Sequence, residues 1–389
     1  MPDTADVPEA PVITSSDPES FPHSVLAERH PALIRRVRDA FPYGPAQHRA
    51  LDALLKSATE GVIEALDGDA WWEAWGVDEY AGRTWFEVPF LWSESYFYRR
   101  LLHAVGHFGS RPWSAPWQGV DPFRPFKLAE LAGPEAREEI SALDRLAALP
   151  LEEQRTALLH GSLWGNRADL GFRIQKDDDE ASAAELVADD SDALWQLLTG
   201  AGTLVLVADN AGRELVPDLL LVDHLLSHGH IERAVLHVKP YPYYVSDATT
   251  ADVVDAVRHL TDAGTDHGRR LWSAMADGRI DLRAHPFSCG PLPYADMPDD
   301  LRAEFAAADV TVLKGDLNYR RLVGDRMWPP TTPFADVTAY FPGPVAALRT
   351  LKSDVITGLA PETEARLVAA EGQWRWRTSG THALIQVRS

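Results

Sequence analysis

Apolar residues recur at helical spacing through much of the first half of the chain. Residues 23–40 (HSVLAERHPALIRRVRDA) carry such a stripe, and residues 46–66 set Leu51, Leu54, Leu55, Val62, Ile63 and Leu66 near one face. Residues 91–108 (LWSESYFYRRLLHAVGHF) are apolar around most of a helical circumference, which predicts a buried helix. Further helical patterns cover 135–160 and 181–199. The pattern then changes. Short runs rich in branched apolar residues appear at 203–210 (TLVLVADN), 234–240 (AVLHVKP), 279–285 (RIDLRAH), 310–316 (VTVLKGD) and 353–359 (SDVITGL), with helical segments between most of them. ALIQVRS (383–389) reads as a final strand at a sheet edge. Strands alternating with helices predict an α/β fold with a mainly parallel sheet covered on both faces. The chain divides into a leader (1–20), a mostly helical part (21–200) and an α/β core (201–389), with the second boundary set near residue 200 by the change of pattern.

Composition narrows the classes. The 389 residues are 45% hydrophobic, as a globular protein requires. No run reaches the eighteen or so apolar residues of a membrane helix. The first twenty residues are rich in Pro, Asp, Glu and Ser and lack Lys and Arg, so they read as a flexible leader and not as an export signal, with a cytoplasmic location expected. The net charge of −21, from 58 acidic and 37 basic residues, disfavours nucleic acid as a partner. The acidic runs 177–180 and 189–192 read as solvated loops. The single cysteine, Cys289, excludes an internal disulfide and a thiolate metal cage, and its turn-rich loop reads as an ordinary site for an unreactive thiol.

In an open parallel sheet, ligands bind beyond the carboxyl ends of the strands. Two predicted strands end in polar groups that suit a cation: one runs into Asp209-Asn210 and Gly212, the other into Gly315-Asp316. Asp209, Asn210 and Asp316 make a hard, all-oxygen donor set suited to Mg²⁺ or Mn²⁺. Aspartates at such places also cap helices and turns, and spacing alone leaves both readings open. Arg349-Thr350-Leu351-Lys352 stands just before the apolar run at 353–359. Arg349 and Lys352 together have the chemistry of a phosphate clamp, one as a planar fork and the other as a point charge.

DNAGREL (209–215), KGDLNYRRL (314–322) and RTLK (349–352), in this order, resemble the damage-control phosphatase family, once called domain of unknown function 89. SLWGNRADL (162–170) and FLWSESYFYRRL (90–101) point to its sugar-phosphate branch, which includes the proteins called acidic-residue methyltransferase. The resemblance runs from about residue 22 to 360. It implies a helical N-terminal part packed on a Rossmann-like, three-layer α/β/α core. It implies that Asp209, Asn210 and Asp316 hold a divalent metal ion (Mn²⁺, Co²⁺ or Ni²⁺, with Mg²⁺ also suited) and that Lys352 contacts phosphate. The substrates implied are small sugar phosphates such as fructose 1-phosphate or fructose 6-phosphate, with Glu94, Asn166 and Asp169 lining the sugar pocket. Gly171 stands where the family pattern leads us to expect Ser, which bears on substrate choice. Attack by water and a covalent role for Asp209 both remain open at this level. Two rival functions stay in view: an S-adenosylmethionine-dependent carboxyl methyltransferase and a non-catalytic sugar-phosphate-binding protein. No membrane or nucleic-acid partner is expected, and the sequence leaves oligomeric state open.

The remaining chemistry-bearing residues carry blander readings. His103 and His107 have zinc-compatible spacing but no third ligand beside them. His224, His228, His230 and His237 read as a solvated helix end and the start of a strand, and Trp71, Trp72 and Trp75 read as packing anchors. Trp92 and Trp164 lie inside motif segments, and one of them is expected to border the sugar.

Overall fold

The computed structural model describes residues 10–66, 68–165 and 185–389. Seven strands form one sheet: β1 (Glu185–Asp189), β2 (Ala201–Val207), β3 (Ile231–Val238), β4 (Ile280–Ala284), β5 (Val310–Lys314), β6 (Val345–Thr350) and β7 (His382–Arg388). Their order is β1-β7-β6-β5-β2-β3-β4, parallel throughout except for the antiparallel β6–β7 pair. The central strands read as unbroken apolar runs because both faces are covered. Leu204, Leu206, Leu236, Val312 and Leu348 face the helices Leu151–Trp164 and Leu215–Ser227 in one core. Their alternates Val205, Val207, Val235, Leu313 and Ala347 face Tyr319, Leu322, Phe305 and Trp376 in a second core. Period-2 side-chain alternation therefore builds the three layers.

The strand order places the crevice. From β2 the chain steps outward through β3 and β4, then returns so that β5 pairs with the other side of β2. The β2–β5 boundary is thus the topological switch point, where the connections on either side diverge and leave an opening at the carboxyl ends.

The N-terminal half is helical, as its periodicity predicts. The segments Phe21–Ser24, Val25–Arg29, His30–Ala40, Pro45–Glu60 and Phe90–Val105 surround an aromatic core that includes Trp72, Trp85, Tyr96 and Phe97. Val25–Arg29 is a π-turn that joins the first two helices into one run. The helix Phe90–Val105 is buried on nearly every side. Among the described residues, no helix is long and apolar enough to cross a membrane.

Four expectations differ from the structure. Residues 353–359 form no strand; β6 lies upstream, and this apolar stretch is a mostly buried loop whose backbone groups are met by side chains and by the Thr332 and Pro330 carbonyls. Arg349 donates to the carbonyls of Ser353 and Val355, and the Thr357 N–H donates to Tyr319 Oη at 3.1 Å. β7 is flanked on both sides, because β1 covers it, so it is not an edge strand. Residues 185–189, read as part of a helix, instead pair in parallel with β7, and the helix that follows is Ser191–Leu198. Here a partner strand overrides local pattern, and the sheet begins before the boundary drawn near residue 200. Finally, the end of the leader is docked: Val12 bridges Arg326, Thr14 bridges Pro89, and Arg326 Nη1 donates to Ala10 O at 2.7 Å.

Candidate active site at the switch point

The chain leaves β2 through Ala208 and presents Asp209 and Asn210 at its carboxyl end. The loop after β3 is sewn to this turn. Ala248 N–H donates to Asp209 O at 2.9 Å, Ala211 N–H donates to Ser246 O at 2.6 Å, and Asn210 forms an antiparallel bridge with Asp247. Asn210 Nδ2 donates to Asp209 Oδ2 (3.0 Å) and Glu214 Oε2 (2.7 Å), which leaves its Oδ1 as an acceptor. Across the switch point, β5 ends at Lys314 and turns at once into the helix Gly315–Val323. Gly315 has φ +83°, and a Cβ there would lie 1.9 Å from Asp209 Oδ2. Only glycine lets the Asp209 carboxylate rest against the start of this helix.

Asp316 enters the same cleft from the helix's first turn, with Ser162, Trp164, Glu214, Asp218, Lys314, Thr350 and Lys352 also lining it. Its Oδ1 accepts from Arg349 Nε (2.8 Å) and Ser353 Oγ (3.0 Å) and from the Lys352 N–H (3.3 Å), leaving Oδ2 for the cleft. Arg349 corrects its sequence reading. It is fully buried, and its guanidinium is spent on Asp316 and on the Ser353 and Val355 carbonyls, so it fixes a carboxylate and does not reach a phosphate. Lys352 is half exposed at the rim, with Nζ 3.8 Å from Glu214 Oε1.

The carboxylates differ in their compensation. Burial acts to raise the pKa of Asp316, but the Arg349 and Arg320 charges with the Ser353 and Arg349 hydrogen bonds outweigh it and hold it below the ordinary range. Asp209 is pushed well above its ordinary value, first by burial and then by the charges of Asp247 and Glu214, with Lys352 and Lys239 opposing. Burial likewise raises Asp218 and Asp247, against Lys314 for the first and Lys239 and Lys127 for the second. On the cleft floor, Lys314 Nζ reaches Ser162 Oγ at 2.8 Å and Asp218 Oδ1 at 3.0 Å.

Three observations fit a hard divalent cation beside Asp209. This carboxylate is partly buried among other carboxylates, and the Asn210 amide donates to it. Asn210 keeps its oxygen for another partner. Asp247 Oδ2 is buried without a hydrogen bond. All the donors are oxygen, which suits Mg²⁺ or Mn²⁺ over zinc. Among the described residues no three His, Cys, Asp or Glu side chains form a metal-ready group, and the set proposed here includes a carboxamide.

Asp247 was missed by sequence reasoning. It lies nine residues past the end of β3, behind Tyr241, Tyr243 and Tyr244, so no Asp marks that strand's end. The usable signal was that ligands lie beyond the carboxyl ends of the strands, where the loop after β3, the neighbour of β2, also ends.

The other expected residues scatter. Glu94 is buried outside this lining; its Oε2 accepts from Arg320 Nη1 at 3.0 Å and from Tyr244 Oη at 3.1 Å. Asn166, Asp169 and Gly171 lie outside the described residues. Trp164 borders the cleft, whereas Trp92 packs in the N-terminal core. Trp72 and Trp75 are buried there too, and Trp71 is about half exposed. Cys289 is buried and its thiol is pushed up to about 12 by burial, which makes it a poor nucleophile. His103 faces Asp69 at 3.5 Å and His107 Nδ1 bonds to Val120 O at 2.8 Å. His224, His228 and His230 gather at a helix end, and His237 pairs separately with Glu304.

Residues 25–367 match the family described as the Damage-control phosphatase ARMT1-like domain. The chain is 32% identical to the mouse (Mus musculus) protein named Damage-control phosphatase ARMT1 over 442 residues, covering 97% of this chain and 98% of that one. It is 28% identical to the zebrafish (Danio rerio) protein of the same name, with 95% of each covered. A crystal structure of a DUF89 family protein from Pyrococcus horikoshii is similar at a TM-score of 0.49 and 17% identity, over 89% of this chain and 94% of that one. The family match takes in Asp209, Asn210, Asp247, Asp316 and Lys352 together, and the chain belongs to the ARMT1-like damage-control phosphatase family.

Proposed function

We propose that this chain is a metal-dependent phosphatase that hydrolyses small sugar phosphates such as fructose 1-phosphate or fructose 6-phosphate. The observation that carries the reading is the Asp209 carboxylate, partly buried at the switch point beside Asn210 and Asp247 and within the same cleft as Asp316 and Lys352. Asp209, Asn210 and Asp247 would hold Mn²⁺, Co²⁺, Ni²⁺ or Mg²⁺; Asp316, expected among the ligands from the sequence, takes a role at the cleft side instead, because Arg349 and Ser353 already hold one of its oxygens. When bound, the ion supplies charge to a phosphate oxygen.

The chain's own residues account for the rest. Lys352 meets the phosphate at the rim, drawn from its loose contact with Glu214. Arg349 and Ser353 lock one oxygen of Asp316, so that the other is held ready to orient a water for in-line attack. Trp164 and Thr350 border the space left for the sugar. Glu94 acts at a remove, by holding Arg320, whose charge acts on Asp316. Asn166 and Asp169 keep their proposed sugar contacts on the family resemblance alone. The methyltransferase alternative needs a Gly-rich turn after the first strand of a cofactor-binding unit; the turn after β2 is Asp209-Asn210-Ala211-Gly212.

Lys352 gives the test. Its charge faces a dianion whose charge shifts during transfer, so Lys352→Ala should lower kcat/KM by about 2–4 kcal/mol of transition-state stabilisation. The loss should appear with both a ketose phosphate and an aryl phosphate, since both present the same phosphoryl group. Unchanged aryl phosphate turnover in the variant would show that Lys352 does not meet the phosphate.

A further inference from the structure

Lys239 has no part in the chemistry above, yet it lies buried against the proposed cation site. It directly follows β3 and is 3% exposed. Its N–H donates to Ala248 O at 2.8 Å, which fixes the backbone beside the loop that carries Asp247. Its Nζ donates to Ser288 O at 2.9 Å and sits 5.4 Å from the centre of the Tyr243 ring. The ammonium is 3.5 Å from Asp247 Oδ2, an oxygen that is itself buried without a hydrogen bond. Lys239 therefore gives its hydrogen bond to a carbonyl and its charge to Asp247.

The neighbouring cations form their ion pairs or hydrogen bonds elsewhere. Lys127 Nζ binds the Asp247 carbonyl at 2.9 Å, but it is offset by two carboxylates of its own, Asp121 at 3.0 Å and Asp252 at 2.9 Å. Arg349 is committed to Asp316. Lys314 is committed to Asp218. Arg321 is fully buried and donates to the Phe287, Ser288 and Leu292 carbonyls, and its charge, like that of Lys127, also acts on Asp247. Among the described residues, Lys239 is the cation in ion-pair contact with the Asp247 carboxylate.

We propose that Lys239 is an internal counter-charge for the cation site: it keeps the Asp247 carboxylate stable when no cation is bound, and it weakens cation binding by repulsion. This rests on reading Asp209, Asn210 and Asp247 as cation donors. The two effects have one origin. Without a metal, removing the ammonium leaves a buried carboxylate uncompensated, which is strongly destabilising. With a metal, the same removal takes away a like charge close to the ion. A site of this kind trades affinity for a fold that survives loss of the ion.

Lys239→Met keeps the length and apolar stem while deleting the charge. Full-length wild type, Lys239→Met and the double variant Lys239→Met/Asp247→Asn are freed of metal, and melting temperature is measured with and without Mn²⁺. Free Mn²⁺ is titrated by electron paramagnetic resonance. The expected result is a lower metal-free Tm for Lys239→Met, a larger Mn²⁺-induced rise than in wild type, and Mn²⁺ binding tighter by at least about tenfold. The double variant should recover much of the metal-free Tm, because the uncompensated charge is gone. Equal or weaker Mn²⁺ binding by folded Lys239→Met overturns the proposal. If Lys239→Met folds only with Mn²⁺, the proposal stands; if it folds in neither condition, recovery of folding in the double variant supports it and failure there overturns it. Wild type that binds no Mn²⁺ overturns the cation-site reading itself, and this proposal with it, whereas wild-type binding with an unchanged variant overturns the counter-charge alone.

Discussion

Asp209→Asn is expected to lower sugar-phosphate turnover by at least about a thousandfold, in line with losing a principal electrostatic contributor. It should weaken Mn²⁺ binding by at least about a hundredfold, more than loss of an outer-shell partner costs. The metal-free protein should nevertheless gain stability. Asp209 is raised well above its ordinary value, by burial first and by Asp247 and Glu214 next. A carboxyl whose pKa is higher in the folded state costs nothing below its unfolded value, where both states are protonated. The cost grows as pH rises above that value, because the unfolded chain ionises more readily. The advantage of Asp209→Asn over wild type, read by urea unfolding without metal, should therefore be absent near pH 3 and grow towards neutrality. Wild-type turnover in the variant, or a stability difference that shrinks as pH rises, would remove Asp209 from the centre of the site.

Gly315→Ala is expected to disable the site through sterics alone. The added Cβ would lie 1.9 Å from Asp209 Oδ2 and 2.0 Å from its Cγ, at a φ of +83° that alanine disfavours. The left-handed backbone alone costs about 1–2 kcal/mol. The carboxylate must also move, and reacting groups displaced by an ångström lose on the order of a hundredfold in rate. Turnover should fall by at least that much while the sheet persists, as judged by far-ultraviolet circular dichroism and Tm. Near-normal kcat in a folded Gly315→Ala would mean that Asp209 need not sit against the start of this helix.

The parallel sheet and its crevice were legible because their causes are local. β2 and β5 announce themselves as branched apolar runs that stop at polar residues, and that stop is where a switch-point ligand is met. Failures came where the cause is tertiary. Residues 353–359 have strand chemistry, but Arg349, Tyr319, Gln386 and the Thr332 and Pro330 carbonyls supply backbone partners, so no ladder is needed. The same Arg349 reads as a phosphate clamp in sequence because a buried guanidinium and an exposed one look alike; burial against Asp316 decides its role. Glu94 was flagged as a polar residue in a motif, but its partner Arg320 stands more than two hundred positions away. Asp247 was invisible because its loop folds back over nine residues, and the bridge to Asn210 with the hydrogen bonds around it brings it to the site. Period and strand-end chemistry thus located the crevice, while the pairing of buried charges around it required three dimensions.

The central claim is that the switch-point crevice hydrolyses a sugar phosphate with the help of a divalent cation. Release of inorganic phosphate from fructose 1-phosphate tests it most directly, measured on the same preparation after exhaustive chelation and again after Mn²⁺ is restored. The account predicts no release above background after chelation and recovery with Mn²⁺ in wild type but not in Asp209→Asn. Equal release with and without the cation, or recovery in Asp209→Asn matching wild type, would contradict it.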